Sequence, residues 1–319
     1  MAEFQWVADV AAGVLKNHAL SAKIRGAAIA KTIILPYIQP EAGYGRKAGE
    51  SLTITRVRNV AEPTSAVVGE RDRIPVDTFA QSQVTVTVSG LGRAIEYSDQ
   101  SELLSHYDIE NWMQKKLREQ MKLTLDTMAA TALKTAMITF VPTSITGGTF
   151  ETAGGDPVTV ALSNVTVNHV KILRDYAADT IHIPGYGEDD RYILLLETKG
   201  CRGIRNDPEF LAWRAPQDAP SSFNKGKIGS IENVDIIEVN HTNALANNLG
   251  TGAVLGEGIF FGDDAAFMAT ARDPELLAAI PAEFGLHKAV AWYGILGMGI
   301  VWDTANDGEA RIIRLTSHV

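Results

Sequence analysis

Two stretches of alternating residues constrain this chain more than anything else in it. Ser82-Gln83-Val84-Thr85-Val86-Thr87-Val88-Ser89 alternates strictly, and Ser51-Leu52-Thr53-Ile54-Thr55-Arg56-Val57-Arg58 alternates in part. A period of two marks a strand with one face covered. The segment between them is polar and carries Pro63, Gly69 and Pro75. Glycines bracket the pair: Gly43, Gly45 and Gly49 before it, Gly90 and Gly92 after it. The pattern predicts a long hairpin with those five glycines as hinges, because glycine reaches backbone angles closed to other residues. A lone hairpin is marginally stable in water. This one must therefore lie on something else.

Around the hairpin the periodicity changes. Before it, Val7, Val10, Ala11, Val14 and Leu15 recur at helical spacing, and an apolar stretch from Ile24 to Ile34 stops at Pro36 and Pro40. Residues 1–40 read as an arm. After it, Ser98 or Asp99 can cap a helical region, with Glu102 following. The strongest helix runs over 108–139. Its apolar positions Ile109, Met113, Leu117, Met121, Leu125, Met128, Ala132 and Ala136 form one stripe, predicted to bury against the terminal β-region. Lys115, Arg118 and Lys122 lie on the opposite, solvent-facing side. At 1.5 Å per residue such a helix is about 48 Å long. Pro142 and Gly147-Gly148 are expected to end it. Further on, 165–178 reads as a helix and 192–196 as a buried strand. A short helix from Thr198 and another opened by Asp207-Pro208 follow. Strands are expected at 227–231 and 234–239 around a turn at Glu232-Asn233, then at 253–261, 283–303 and 309–316, with a helical turn at 263–266. Residues 143–162 read as a loop with a β-element.

The composition narrows function. Lys and Arg total 29 against 38 Asp and Glu, a net charge of −9 over 319 residues. That balance opposes a dedicated nucleic-acid binder, which would show a basic face. The one cysteine, Cys201, excludes an intrachain disulfide and reads as a small buried hydrophobe. The longest apolar run, 289–302, has 14 residues where a membrane span needs about 20. It also holds Gly294, Gly297 and Gly299, so it reads as a buried strand with turns or bulges. The first residues carry an acid and no base before Lys16, unlike a signal peptide.

Catalytic and ligand motifs fail one by one. His18, His106, His169, His182, His241, His287 and His318 are scattered, none in His-Glu-x-x-His spacing. Gly226-Lys227-Ile228-Gly229-Ser230 has Ile where a phosphate loop needs Ser or Thr. Gly250, Gly252 and Gly256 have the wrong spacing for a dinucleotide fingerprint. Asp303-Thr304-Ala305-Asn306-Asp307-Gly308 lacks the third and twelfth ligands of a calcium loop. Glu188-Asp189-Asp190 and Asp263-Asp264 read as solvated acids or caps rather than a cation site. The expectation is no enzyme, no cofactor and no metal. In the hairpin, Arg56, Arg58, Arg71 and Arg73 stand out, but residues 41–98 hold seven basic and seven acidic residues. Inter-subunit or local ion pairs suit these arginines better than phosphate contacts.

The C-terminal half carries a resemblance. Tyr192-Ile193-Leu194-Leu195-Leu196, then Gly203-Ile204-Arg205-Asn206-Asp207-Pro208-Glu209-Phe210, then Gly226-Lys227-Ile228-Gly229-Ser230-Ile231 and Ile236-Ile237-Glu238 follow one another in the order of a phage coat-protein pattern. Phe261-Gly262-Asp263-Asp264-Ala265-Ala266-Phe267, and Phe284-Gly285 with Val290-Ala291-Trp292 and Gly297, are similar to its later strands. With the arm, hairpin and long helix, the whole chain resembles the Hong Kong 97-type major capsid protein of tailed bacteriophages. The resemblance implies an α+β fold. Its parts would be an N-terminal arm (1–40), an extended hairpin loop (41–97), a peripheral domain (98–157 and 261–319, with the long helix as its spine) and an axial domain (158–260). It also implies hexamers and pentamers of the chain tiling an icosahedral virion shell, assembled in the bacterial host cytoplasm. Only about 40 residues precede the hairpin, so a separate scaffolding protein is implied, together with a portal protein. The family admits a decoration protein, makes only non-specific contact with packaged double-stranded DNA and involves no membrane. Two alternatives stay open: a bacterial encapsulin shell of the same fold, and a soluble α/β enzyme.

Overall fold

The computed structural model describes residues 29–41, 44, 45, 47, 49–60, 67, 68, 70, 73–105, 108–210, 227–246, 254–278 and 286–318. The arm helix expected over 7–15 lies outside them, as do Gly43 and Arg71.

Strands β2 (Ser51–Val57) and β3 (Gln81–Thr87) form the predicted hairpin, in register from Ser51 opposite Thr87 to Val57 opposite Gln81. The chain then runs straight into β4 (Ser89–Ser98), a strand that the sequence reading took for a hinge and a helix start. A short helix α1 (Asp99–Leu104) follows, capped by Ser98, whose Oγ accepts the Ser101 N–H at 3.2 Å.

The long helix α2 (Ile109–Leu133) is capped by Asp108, which accepts the Asn111 N–H at 3.0 Å. It is shorter than expected. Ala132 and Ala136 continue the apolar stripe, but the chain turns after Leu133 and becomes β5 (Ile138–Ser144). Ile138-Thr139-Phe140-Val141 is β-branched and aromatic, and all four are buried in a sheet. At 25 residues the helix is about 37 Å long. Pro142 and Gly148 do not end it. They face each other between β5 and β6 (Gly147–Glu151).

Helix α3 (Val167–Asp175) starts at Thr166 and runs into a wider turn at Tyr176–Thr180. Then come β7 (Tyr192–Glu197), α4 (Cys201–Arg205), helical residues 208–210, β8 (Lys227–Ile231) and β9 (Val234–Val239). Glu232 and Asn233 join β8 to β9 with φ of 46° and 65°, the paired positive angles that a two-residue hairpin turn demands. β10 (Val254–Phe261), β11 (Ala266–Ala278), β12 (His287–Ile300) and β13 (Ile312–His318) complete the chain. Asp263 and Asp264 form a turn rather than the start of a helix, and β11 was not expected.

Seven strands form one sheet in the order β6-β5-β13-β10-β7-β9-β8. Its central strands read as continuous apolar runs because both faces are covered. Leu194, Leu196, Phe260 and Ile313 face a core shared with α3 and α4. Leu195, Ile259, Phe261 and Ile312 face the other way, against Ala129, Ala130 and Leu133 at the end of α2. The sheet takes strands from both ranges expected for separate domains: β5, β6 and β13 join β7 to β10.

A second sheet has the order β1-β11-β12-β4, where β1 is the two-residue strand Gln39–Pro40. The first half of α2 lies on this sheet. Leu117 packs against Val290 and Trp292, flanked by Leu91, Ile95 and Met121. Leu117 is buried here as predicted for the stripe, whereas Ile109, Met113, Met121 and Met128 are only half-buried; Lys115, Arg118 and Lys122 are exposed as expected. One helix thus backs two sheets.

Candidate assembly surfaces

The hairpin is two-faced. Leu52, Ile54, Val84 and Val86 point to the body and are half-buried, while Thr53, Thr55, Gln83 and Thr85 face out. The body meets it with glycine. A Cβ on Gly297 would stand 2.5 Å from the Thr87 carbonyl oxygen, and one on Gly299 would overlap the Val86 side chain. These two glycines in β12 are seats for β3 rather than turns.

Arg56 locks the loop end of the paired strands to the body. Its Nε donates to Ser82 Oγ at 2.8 Å, Nη1 to the Val301 carbonyl at 2.8 Å and Nη2 to Asp303 at 2.5 Å. The guanidinium also lies 5.0 Å from the Trp302 ring centroid. Arg56 is 8 % exposed, so this arginine makes local pairs within its own chain. Arg58 reaches Glu309 of the same chain at 3.4 Å. Arg73 is exposed in the segment that joins the two strands.

The five hinge candidates separate on inspection. Gly49 has a φ of 107°, in the left-handed region, and Gly45 has open space around it. Gly90 and Gly92 are different. They lie within β4, opposite Ile295 and Tyr293, and neither has a positive φ. What they need is room: a Cβ on Gly92 would come 2.7 Å from the Trp292 carbonyl oxygen. The backbone-angle argument for hinges at these two positions does not hold.

Beyond the last pair, Val57 opposite Gln81, the hairpin carries apolar side chains into solvent. Ile74 is 72 %, Val76 80 % and Phe79 60 % exposed. A second exposed apolar pair, Leu103 and Leu104, sits on α1, with Leu286 exposed just before β12. A third group, Ile145, Val158 and Leu162, borders the β5–β6 hairpin. The loop at Val158 is held in place, because Glu151 accepts the N–H groups of Val158 and Thr159 at 2.9 and 2.7 Å. Several apolar side chains held outward in separate patches mark contact surfaces rather than a pocket. The sequence reading passed over them. For the hairpin the signal was Ile74, Val76 and Phe79, set two and three positions apart in a stretch otherwise polar and Pro-containing.

Among the described residues no three His, Cys, Asp or Glu converge on a metal-sized site, and no helix is long and apolar enough to cross a membrane. Burial pushes the Cys201 thiol well above its usual range, which removes the thiolate a nucleophile needs. Asp263 accepts from Gln39 Nε2 and from the Asp264 N–H, a turn role.

No family model and no curated protein matches the sequence. Solved structures do. A chain from the head of Helicobacter pylori bacteriophage KHP40 superposes with a TM-score of 0.73 at 14% identity, over 100% of this chain and 99% of that one. A chain of the cyanophage Pam1 capsid gives 0.68 at 16% identity over 99% of both. The capsid of Ralstonia phage GP4 gives 0.63 at 16% identity, over 99% of this chain and 98% of that one. The chain therefore has the fold of phage capsid subunits, the Hong Kong 97-type fold that its sequence resembles.

Proposed function

We propose that this chain is a major capsid protein, a structural subunit that assembles with copies of itself into the icosahedral shell of a tailed phage. The observation that carries the reading is full-length agreement with capsid chains in a molecule that exposes apolar residues in several separate patches. A shell subunit needs several separate contact surfaces and no active site. The hairpin tip, α1 and the β5–β6 border supply three such surfaces. Within the shell, the four-stranded sheet with the first half of α2 serves as the peripheral part and the seven-stranded sheet as the axial part. Hexamers and pentamers, a separate scaffolding protein, a portal protein and non-specific contact with packaged DNA belong to this proposal, as does assembly in the host cytoplasm. The acidic balance suits a container whose DNA must enter and leave.

Electron microscopy of the expressed chain, alone and with a scaffolding protein, tests it. Closed icosahedral shells are expected. A chain that stays monomeric at every concentration in both preparations contradicts the reading. Native particles that enclose protein instead of DNA would favour a compartment shell over a virion.

A further inference from the structure

Asp126 is a buried acid that assembly does not explain. It lies within α2 and has no solvent exposure. Oδ1 accepts the backbone N–H of Ile34 at 2.8 Å and of Leu35 at 3.1 Å. Oδ2 lies 3.1 Å from Nδ1 of His241, which is also buried. A buried carboxylate is costly unless its oxygens are satisfied. Here three donors converge on it from two distant parts of the chain.

The donors identify what the acid holds. Residues 31–41 cross the body in one pass. The Lys31 N–H donates to Asn240 Oδ1 at 2.9 Å, just past β9. Ile34 and Ile38 are buried in the cluster between α2 and the faces of both sheets. Gln39 and Pro40 then pair in parallel with Phe267 and Met268 of β11, and the Glu41 N–H donates to the Met268 carbonyl at 2.9 Å. The segment therefore touches the seven-stranded sheet, the four-stranded sheet and the helix that backs both. Its attachments are few beside the ladders it spans, and segments of that kind open at lower free energy than the body of a domain.

We propose that residues 31–41 are a releasable strap across the joint between the two sheets, with Asp126 as its clasp. Release of Ile34 and Leu35 from the carboxylate lifts the strap as a unit and lets the sheets shift about α2. Only β1 leaves its neighbour β11; the other ladders stay paired, and His241 keeps the acid partnered. The strap is a property of the single subunit, whatever that subunit assembles into.

Amide hydrogen exchange on the unassembled full-length chain tests this. The reporters are the amides of Ile34, Leu35, Tyr37, Ile38 and Glu41. With Asp126→Ala their exchange should rise together by about tenfold or more, while amides of β7, β10 and β13 change by less than about twofold. Asp126→Asn keeps an oxygen for both N–H groups and should leave the five amides near wild type. Ile34→Ala removes the strap's apolar plug without touching the clasp, so it serves if Asp126→Ala fails to fold, and should raise the same five together. A rise confined to Ile34 and Leu35, an equal rise across the ladders, or no rise in either variant overturns the proposal.

Discussion

Arg56 and His169 show how a single side chain can fix one element against another. Arg56 makes three hydrogen bonds in three directions, with its flat guanidinium near Trp302. Lysine cannot reproduce that fork. Arg56→Met should destabilise the unassembled subunit by about 2 kcal/mol, the scale of lost hydrogen bonds to a charged group. Asp303 is 55 % exposed and can turn to water, so Asp303→Asn should cost less than about 1 kcal/mol. Urea melts of both variants check the ranking, and an equal loss would mean that the ion pair, not the fork, holds the hairpin. His169 closes the N-terminus of α3. Its Nδ1 accepts the Thr166 N–H at 3.0 Å and its Nε2 donates to the Ser144 carbonyl at 2.8 Å, tying α3 to the β5–β6 hairpin. Burial holds its pKa below the usual 6.5, against the pull of its carbonyl partners. The unfolded chain then binds the proton more readily than the folded one. The contribution of His169 is therefore present above about pH 6.5 and lost as the pH falls below it. The stability advantage of wild type over His169→Gln should shrink between pH 7 and pH 5. An advantage that grows on acidification contradicts the assigned neutral ring.

At the scale of elements, glycine roles follow from what surrounds each position. Gly299→Val pushes into Val86 at the base of the hairpin and should cost about 1–3 kcal/mol, the range for overpacking. Gly45→Val meets nothing and should stay within about 0.5 kcal/mol. Thermal melts of the two variants decide it, and similar losses would remove the seating role of Gly299. This difference also marks what the sequence could say. The hairpin, the start of α2, the β8–β9 turn and β7 were legible because each is written in local residue chemistry: alternation, an Asp cap, a Glu-Asn turn, a solid apolar run. The strands β4 and β11 were not. Ser89–Ser98 carries two glycines, Gly90 against the Tyr293 ring and Gly92 against the Trp292 carbonyl, and Ala266–Ala278 carries Arg272, Asp273 and Pro274, so neither shows a clean period. Both are strands because β12 pairs with them on either side. The end of α2 was missed for a related reason. Its stripe continues past Leu133, and only the place waiting for β5 beside β13 turns the chain into a strand. Among site residues, the local ion pair of Arg56 is one of the two roles expected for these arginines, but its partners were not legible, because Val301 and Asp303 lie some 245 residues further along the chain.

The molecule as a whole is a body on which the paired hairpin lies, with Ile74, Val76 and Phe79 of the segment joining its strands held in water. Nothing in the subunit's stability requires those side chains to be apolar, since the paired strands are anchored at one end by Arg56 and at the other by the seats in β12. Their exposure makes sense if a neighbouring copy covers them. The most direct measurement replaces residues 60–78 with a short glycine turn, leaving both strands and Arg56 in place. Electron microscopy and sedimentation then compare the variant with wild type under the same assembly conditions. The account predicts a variant that melts like the wild-type subunit but forms no closed shells. Shells of normal size and yield from the variant would contradict it.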